Sequence, residues 1–585
     1  MKRLASILDI LILLSGLGAS SLALADASAP QPHSGWSFSE TGLIPVQSGG
    51  RLMPFDSFSR EAVLYLTGSR SFHGWDPVDL MFSWLTYPAQ WEEQPFIEVG
   101  RADVRRQLGL DEKRSLFSPK ELVNNFSLAQ YAGEIQRKTT VPSPTGKMAK
   151  KDQREEELKR VLDRVGLIRS IISGEGWLLV PQPESQAWLS VASHTPDGKF
   201  PRGQFVELVK AYQAGSAPLF QEKSKLMRAA IEGEIPGFNS NARHKIEAES
   251  FYDRLHPFMF AWIFYLLAAL AWFTTITRAG SITASQGKSP QTDDQDAGRP
   301  RAGQWFGRVA AAAMVVAVAF HVLGFALRCY VAGRPPVTNM YESVIWVSLG
   351  VVVFATIIYF VSKRQMVALA VACSLACLGL IAGDAAPAIL DPGIHPLVPV
   401  LRSNYWLTIH VLTITLGYAA FTLTLGLADV TLYKFIAGGE AKNRTQIMGM
   451  NQLIYRAMQF GVVLIAAGTI LGGVWADYSW GRFWGWDPKE VWALIVLLSY
   501  LVILHGRYAG WVGQFGFAAC SVVAYLSVLM AWYGVNFILG VGLHSYGFST
   551  GGFTGVMTFT LLQLGYVGFA AIRRSAGKRA LAAPK

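Results

Sequence analysis

Nine apolar stretches crowd the second half of this 585-residue chain, at about 257–276, 306–327, 342–361, 366–383, 405–433, 457–475, 490–506, 513–534 and 555–572. Each is long enough to cross a bilayer as a helix. In hydrocarbon a backbone N–H or C=O finds no water, so a spanning segment must satisfy its own backbone. The expected fold is therefore an all-α polytopic membrane protein with about nine transmembrane helices. Composition points the same way. Only 16% of residues are charged, against ~25% in soluble domains, and mean hydropathy is +0.28. The net charge of +11 then reads as basic cytoplasmic loops rather than a nucleic-acid surface, and no nucleic-acid-binding module is found.

The first half is different. Lys2 and Arg3 precede the apolar run ILILLSGLG and the small-residue site Ala23-Leu24-Ala25, the layout of a signal peptide over residues 1–25. With Asp9 at the start of that core, an uncleaved anchor is the alternative. Residues 26–254 are polar and mixed, expected as an exported, mostly α-helical extracytoplasmic domain. The stretch from Lys147 to residue 172 reads as an amphipathic helix rich in i,i+4 charge pairs, and the stretch from Gly50 as a turn leading into a short helix. His33, His73, His194 and His244 form no spaced cluster and are assigned to surface or packing. Residues 255–304 hold the first span and a polar cytoplasmic linker expected to be disordered. Residues 305–573 form the main membrane domain, and 574–585 a cytoplasmic tail.

Charge orients the bundle. With residues 26–254 outside, the inner loops carry seventeen Lys and Arg; the outer loops among the spans carry five, Arg328, Arg334, Arg402, Arg482 and Lys489. The positive-inside rule thus agrees with the leader. The N-terminal domain is expected outside a bacterial cytoplasmic (inner) membrane and the C-terminus inside. The four cysteines are Cys329, Cys373, Cys377 and Cys520. None lies in the polar region, which excludes a disulfide framework there. Cys373 and Cys377, one turn apart, read as small residues of a membrane helix. No Cys-x-x-Cys-His occurs, so the chain is not itself a c-type cytochrome.

This orientation gathers one unusual stretch and two histidines on one surface. WADYSWGRFWGWDPKEVW, residues 475–492, holds five of the chain's 18 tryptophans: Trp475, Trp480, Trp484, Trp486 and Trp492. His410 falls near the outer end of the fifth span and His544 in the outer loop after the eighth. Flat aromatic walls between two imidazoles suit haem, whose iron accepts one nitrogen from each face. Gly481 and Gly485 permit close backbone approach, and Arg482 and Lys489 are candidates for the propionates. An interfacial aromatic belt explains the tryptophans equally well. Asp487 before Pro488 reads as a helix cap. His505 lies inside the seventh span near its inner end, and an intramembrane ionisable residue is a functional candidate. His256 and His395 read as interfacial and structural, and His321 as a mid-membrane or outer-side histidine.

WADYSWGRFWGWDPKEVWALIVLLSYLVILHGR resembles the tryptophan-rich WWD signature of the cytochrome c assembly family, and within it the CcsA (ResC) branch, the haem-handling half of the System II synthase. GRPPVTNMYESVIW from Gly333, HVLTITLGYAAF from His410 and GLHSYGF around His544 resemble further family segments, and the likeness covers roughly residues 305–573. It implies that His410 and His544 ligate haem b axially beside the WWD loop (Trp475, Trp480, Trp484, Trp486, Asp487 and Trp492). It implies that His505 binds haem on its way across the membrane. It also implies a subunit of a holocytochrome c synthase that presents haem to the CxxCH motif of an apocytochrome c. Such a subunit would work beside a CcsB/ResB-like membrane protein, with a thiol-reducing protein as a further partner. The CcsB half is not found in residues 1–304, so the second transmembrane ligand comes from that partner or from His256 or His321. The alternatives are a haem exporter or chaperone that makes no thioether, an unrelated polytopic transporter, and an assembly scaffold. No internal repeat supports the transporter.

Overall fold

The structure, a computed structural model, describes residues 30–140, 153–182, 187–193, 202–285, 302–362, 365–387, 389–397, 404–539 and 551–582. The predicted leader, most of the linker after the first span, His194 and His544 lie outside them.

The N-terminal part builds its own hydrophobic core from residues between Phe38 and Ile231, with Trp84 and Trp177 fully buried. Strands β1 (Pro45–Ser48) and β2 (Arg51–Pro54) pair as a tight antiparallel hairpin that leads straight into helix α1 (Phe55–Thr67). Helices α2 (Pro77–Thr86) and α3 (Gln153–Ser173) pack on α1. Asp76 caps α2 by accepting from the Val78 N–H, with Pro77 in the first turn, where its missing N–H costs nothing. The segment is mostly helical, with three two-stranded ribbons that period-two patterning is too short to announce.

Helix α4 (Ser240–Leu255) ends at His256, which takes a left-handed backbone (φ 47°), and Pro257 begins α5 (Pro257–Ser285). The apolar run that signals the first span begins at Pro257, and the polar helix α4 leads into it across the left-handed turn at His256. The bundle continues with α6 (Ala302–Ala332), α7 (Met340–Val361), α8 (Met366–Ala385), α9 (Leu412–Lys442), α10 (Arg444–Trp480), α11 (Pro488–Tyr508), α12 (Gln514–Leu529) and α13 (Phe553–Ala582). Among the described residues, nine helices are long and apolar enough to cross a membrane. The chain is an all-α polytopic membrane protein. α5 packs on α6 and α8, and α9 on α10. Cys373 and Cys377 are buried free thiols in α8. α13 is held by polar contacts: Gln563 and Tyr566 donate to Asp429 of α9, and Arg574 pairs with Glu440.

A charged knot closes the end of the bundle that meets the N-terminal core. Glu342, in the first turn of α7, takes Arg328 of α6 at 2.8 Å and Arg334 at 3.2 Å, and all three side chains are nearly inaccessible. Arg328 also donates to Tyr252 of α4 and to the Pro392 and Gly393 carbonyls, and Arg334 donates to the His395 carbonyl. The loop 389–397 is thereby pinned to α6 and to the turn that leads from it into α7. Removing the carboxylate would strand two buried cations, a change worth ~3–5 kcal/mol. Glu342→Gln should lower unfolding stability in detergent by about that amount; a loss under ~0.5 kcal/mol, typical of a neutral surface change, would show that the knot does not hold this end.

In the same loop, the His395 ring and Asp391 bond at 2.9 Å. The bond raises the imidazole above its usual 6.5 against the opposing effect of burial. Burial pushes Asp391 up, but the same bond and the nearby positive charge bring it below its usual value. The pair contributes its full stability below pH ~6.5 and above the ordinary carboxylate range. On the alkaline side it is lost as pH rises through the raised His395 value. An NMR titration should find His395 above 6.5, and Asp391→Asn should lower it.

Candidate functional site

One cavity at this end gathers several of the residues singled out above. It holds about 140 Å³, less than a typical small-molecule cleft (~300–1,000 Å³), and continues into an open mouth. His410, Trp475, Trp484 and Lys489 line it, together with the segment from Val337 to Met340, Ser343, Gly472, Glu490, Trp532 and Asn536.

His410 sits in a π-helical turn, Leu407–Val411, at the entry to α9; such turns widen the backbone and re-aim side chains. Its Nδ1 lies 2.8 Å from the Gly468 carbonyl of α10. A carbonyl only accepts, so Nδ1 carries the proton and Nε2 the lone pair, the tautomer that metal-binding imidazoles use when a second group holds the ring. The His410 ring is stacked 5.9 Å from Trp475 with planes 20° apart. Glycines make this approach feasible: a Cβ on Gly472 would stand 2.6 Å from the His410 ring, and one on Gly468 2.8 Å from the Ile414 Cα.

Trp475 is buried with Val337 in a small separate cluster, against which Trp406, Val411, Leu412 and Trp480 pack. Trp480 lies 5.0 Å from Trp475. The loop after α10 is folded by its acids. Asp487 accepts from the Lys489 N–H, and Glu490 reaches back to the Asp487 and Gly485 N–H groups, so a capping box starts α11. Glu490 also meets Arg482 at 3.4 Å, and the Arg482 guanidinium lies over the Trp480 ring. Trp486 takes a left-handed backbone (φ 57°) and is 72% exposed. A bulky residue there stores strain of ~1–3 kcal/mol, and Trp486 meets Trp484 edge-on at 6.0 Å.

Not all of the sequence candidates meet. Trp492 faces the bundle core rather than the cavity. His505 is exposed near the opposite end of α11, its Nδ1–H donating to Leu501, and seventeen residues of helix put it ~26 Å from Pro488. His321 is fully buried with both nitrogens engaged: Nε2 donates to the Ile345 carbonyl and Nδ1 accepts from the Tyr265 hydroxyl. His256 lies in a different cavity. Sequence reasoning missed Trp532, which donates to Ser343, and Asn536, whose Oδ1 is buried without a donor among the described residues. Both sit in an apolar stretch with no local signal. Since the His410 ring fills the space over Gly472, Gly472→Ala should overpack the site and cost about 1–3 kcal/mol in thermal unfolding. Gly555→Ala, which meets open space, should cost nothing.

The family model described as "Cytochrome C assembly protein" matches residues 337–544, from the first cavity segment to the second candidate histidine. Protein NrfI of Wolinella succinogenes is 28% identical over 534 residues, 86% of this chain and 54% of NrfI. The cytochrome c biogenesis protein CcsA of Chlamydomonas reinhardtii is 33% identical over 234 residues, 39% of this chain and 65% of that protein. CcsA of Prochlorococcus marinus strain MIT 9303 is 33% identical over 254 residues, 38% of this chain and 78% of that protein. The chain thus spans about half of NrfI and about two thirds of the algal CcsA. A membrane bundle with the family's segment at its cavity, and relatives covered over most of their length, place this chain in the cytochrome c assembly protein family as a CcsA-like member.

Proposed function

We propose that the chain serves c-type cytochrome biogenesis by holding haem b, as substrate, in the His410 cavity for attachment to an apocytochrome c. The observation that carries this reading is the His410 Nδ1–H bond to the Gly468 carbonyl, which directs the Nε2 lone pair to ligation within a tryptophan-walled cleft. The donor set fits the group: an imidazole of defined tautomer, flat apolar walls from Trp475 and Trp484, and the cationic Lys489 toward a propionate. His544, outside the described residues, is proposed as the ligand on the other face. Trp480, Trp486 and Asp487 frame the loop, and Trp492 supports it from the core. Haem held this way offers vinyl groups to which the two thiols of CxxCH add as thioethers. The protein's own part is to fix the ring of His410, exclude water with its tryptophans and present the edge of the macrocycle.

The rest of the reading is supported by the loop charges and the family resemblance. The N-terminal domain (26–254) and the tryptophan loop face outward from a bacterial inner membrane, the domain of 305–573 handles haem, and the tail at 574–585 lies inside. His505, exposed on the bundle surface, meets a CcsB/ResB-like partner that supplies the second ligand of a transmembrane site. His321 is excluded from that role by its two bonds. A thiol-reducing protein keeps the client's cysteines competent.

The visible spectrum of the full chain, purified with its partner from haem-replete cells, tests the reading. Wild type should be low-spin with sharp reduced α and β bands. His410→Ala and His544→Ala should each give a high-spin form that imidazole partly restores, whereas His395→Ala should change nothing. A haem-free wild type would sink the proposal. Bound haem that never reaches a co-expressed apocytochrome would favour a chaperone or exporter.

A further inference from the structure

A second, larger cavity of about 520 Å³ lies where the N-terminal core meets the bundle. Its floor is made by the head of α5 (His256 to Trp262), with Tyr341 of α7 and Asp384 of α8; its roof comes from α1 and the turn after it. The walls are largely apolar, with Leu64, Trp75, Phe258 and Trp262 among them.

One cation in this cavity is incompletely matched. Arg70 donates from Nη1 to Asp384 at 3.2 Å, and Asp384 takes its other bond from Trp262 Nε1 at 2.9 Å. Arg70 Nε and Nη2 are buried and meet no acceptor among the described residues. Those two N–H groups form the side of the guanidinium fork that grips a carboxylate or phosphate with paired bonds. Leaving them dry and unbonded costs free energy. The other charges on the cavity wall are already engaged. Arg60 pairs with Asp56 at 3.1 Å, Glu249 with Arg51 at 2.6 Å, and Asp253 accepts from Ser57. Glu61 stands 3.8 Å from Arg51, and burial pushes its carboxyl up to about 7, which reduces its repulsion of an anion.

We propose that this cavity is a binding site for an anionic amphiphile, whose carboxylate or phosphate head sits on the Nε–Nη2 edge of Arg70 and whose apolar chain lies against Leu64, Phe258 and Trp262. α5 and α7 begin, and α8 ends, beside this cavity; helix ends are the level at which lipid head groups lie and where basic pockets between helices take them. The site is separate from the His410 cavity, shares no lining residue with it, and its test needs no haem.

Native mass spectrometry of the full chain in detergent, titrated with phosphatidylglycerol, oleate, phosphatidylcholine or inorganic phosphate, reads this directly. Wild type should retain one phosphatidylglycerol or one oleate per chain at energies that strip phosphatidylcholine. Phosphatidylglycerol alone assigns a phospholipid, and oleate alone a fatty acid. Arg70→Lys keeps a cation beside Asp384 but loses the paired edge, and should weaken retention about tenfold, the scale of one charge-assisted bond. Leu64→Glu, at a half-buried position, should do the same by setting a carboxylate against the apolar chain. Arg106→Gln, in an exposed pair with Glu112, should change nothing. Equal retention in Arg70→Lys and wild type would overturn the site, as would equal retention of phosphatidylcholine, or phosphate binding with neither amphiphile retained.

Discussion

One carboxylate, Glu342, organises the working end of this protein. Two arginines converge on it from outside its own helix, and others of their N–H bonds reach into the loop 389–397 and up to Tyr252. Glu342 Oε2 also accepts from both the backbone and the hydroxyl of Thr338. The segment Val337–Ser343 is thus held as a rigid corner, and that corner is shared. One side lines the His410 cavity; on the other, Tyr341 and Gly393 line the cavity beneath the N-terminal core. Charges this deeply buried repay their desolvation only when every partner is in place, so the knot behaves as a unit. Both cavities inherit their geometry from it.

The bundle was legible in the sequence because its cause is local. Each span must satisfy its own backbone, and an unbroken apolar run is the trace that requirement leaves. The reading faltered at the ends, where helices run on past the apolar core. α10 reaches Trp480 and α5 runs on to Ser285. The site was legible in part. The tryptophans, His410 and Asp487 stand out by type and spacing, and Asp487 does cap α11. The partner of His410 is a backbone carbonyl 58 residues away, and no local pattern announces such a pairing. Arg328, Arg334 and Glu342 look in the sequence like ordinary loop-edge charges. Trp492 shows the converse: membership in a tryptophan-rich stretch does not decide which way a ring faces, because α11 turns it toward the core.

Within the loop, the labour is divided between acids and aromatics. Asp487 and Glu490 fold it, by capping α11 and gathering N–H groups from Gly485 onward. The tryptophans fill the frame unevenly, Trp475 buried and Trp486 turned outward on a left-handed backbone. A strained, exposed aromatic is stable only where the surroundings over-determine it, and the capping box at Asp487–Glu490, whose Glu490 also holds the Gly485 N–H, supplies that constraint.

The junction of α4 and α5 has a mechanical meaning. α4 is tied to the N-terminal core by Arg51–Glu249, Arg254–Asp56 and Ser57–Asp253, while α5 is packed into the bundle. Sixteen residues of α4 make a strut ~24 Å long that is fastened to the bundle as well, by Tyr330 of α6 donating to Asn241 near its far end and by Arg328 donating to Tyr252. The N-terminal core is thus braced against the bundle along the whole length of α4 and not only through the chain at His256 and Pro257.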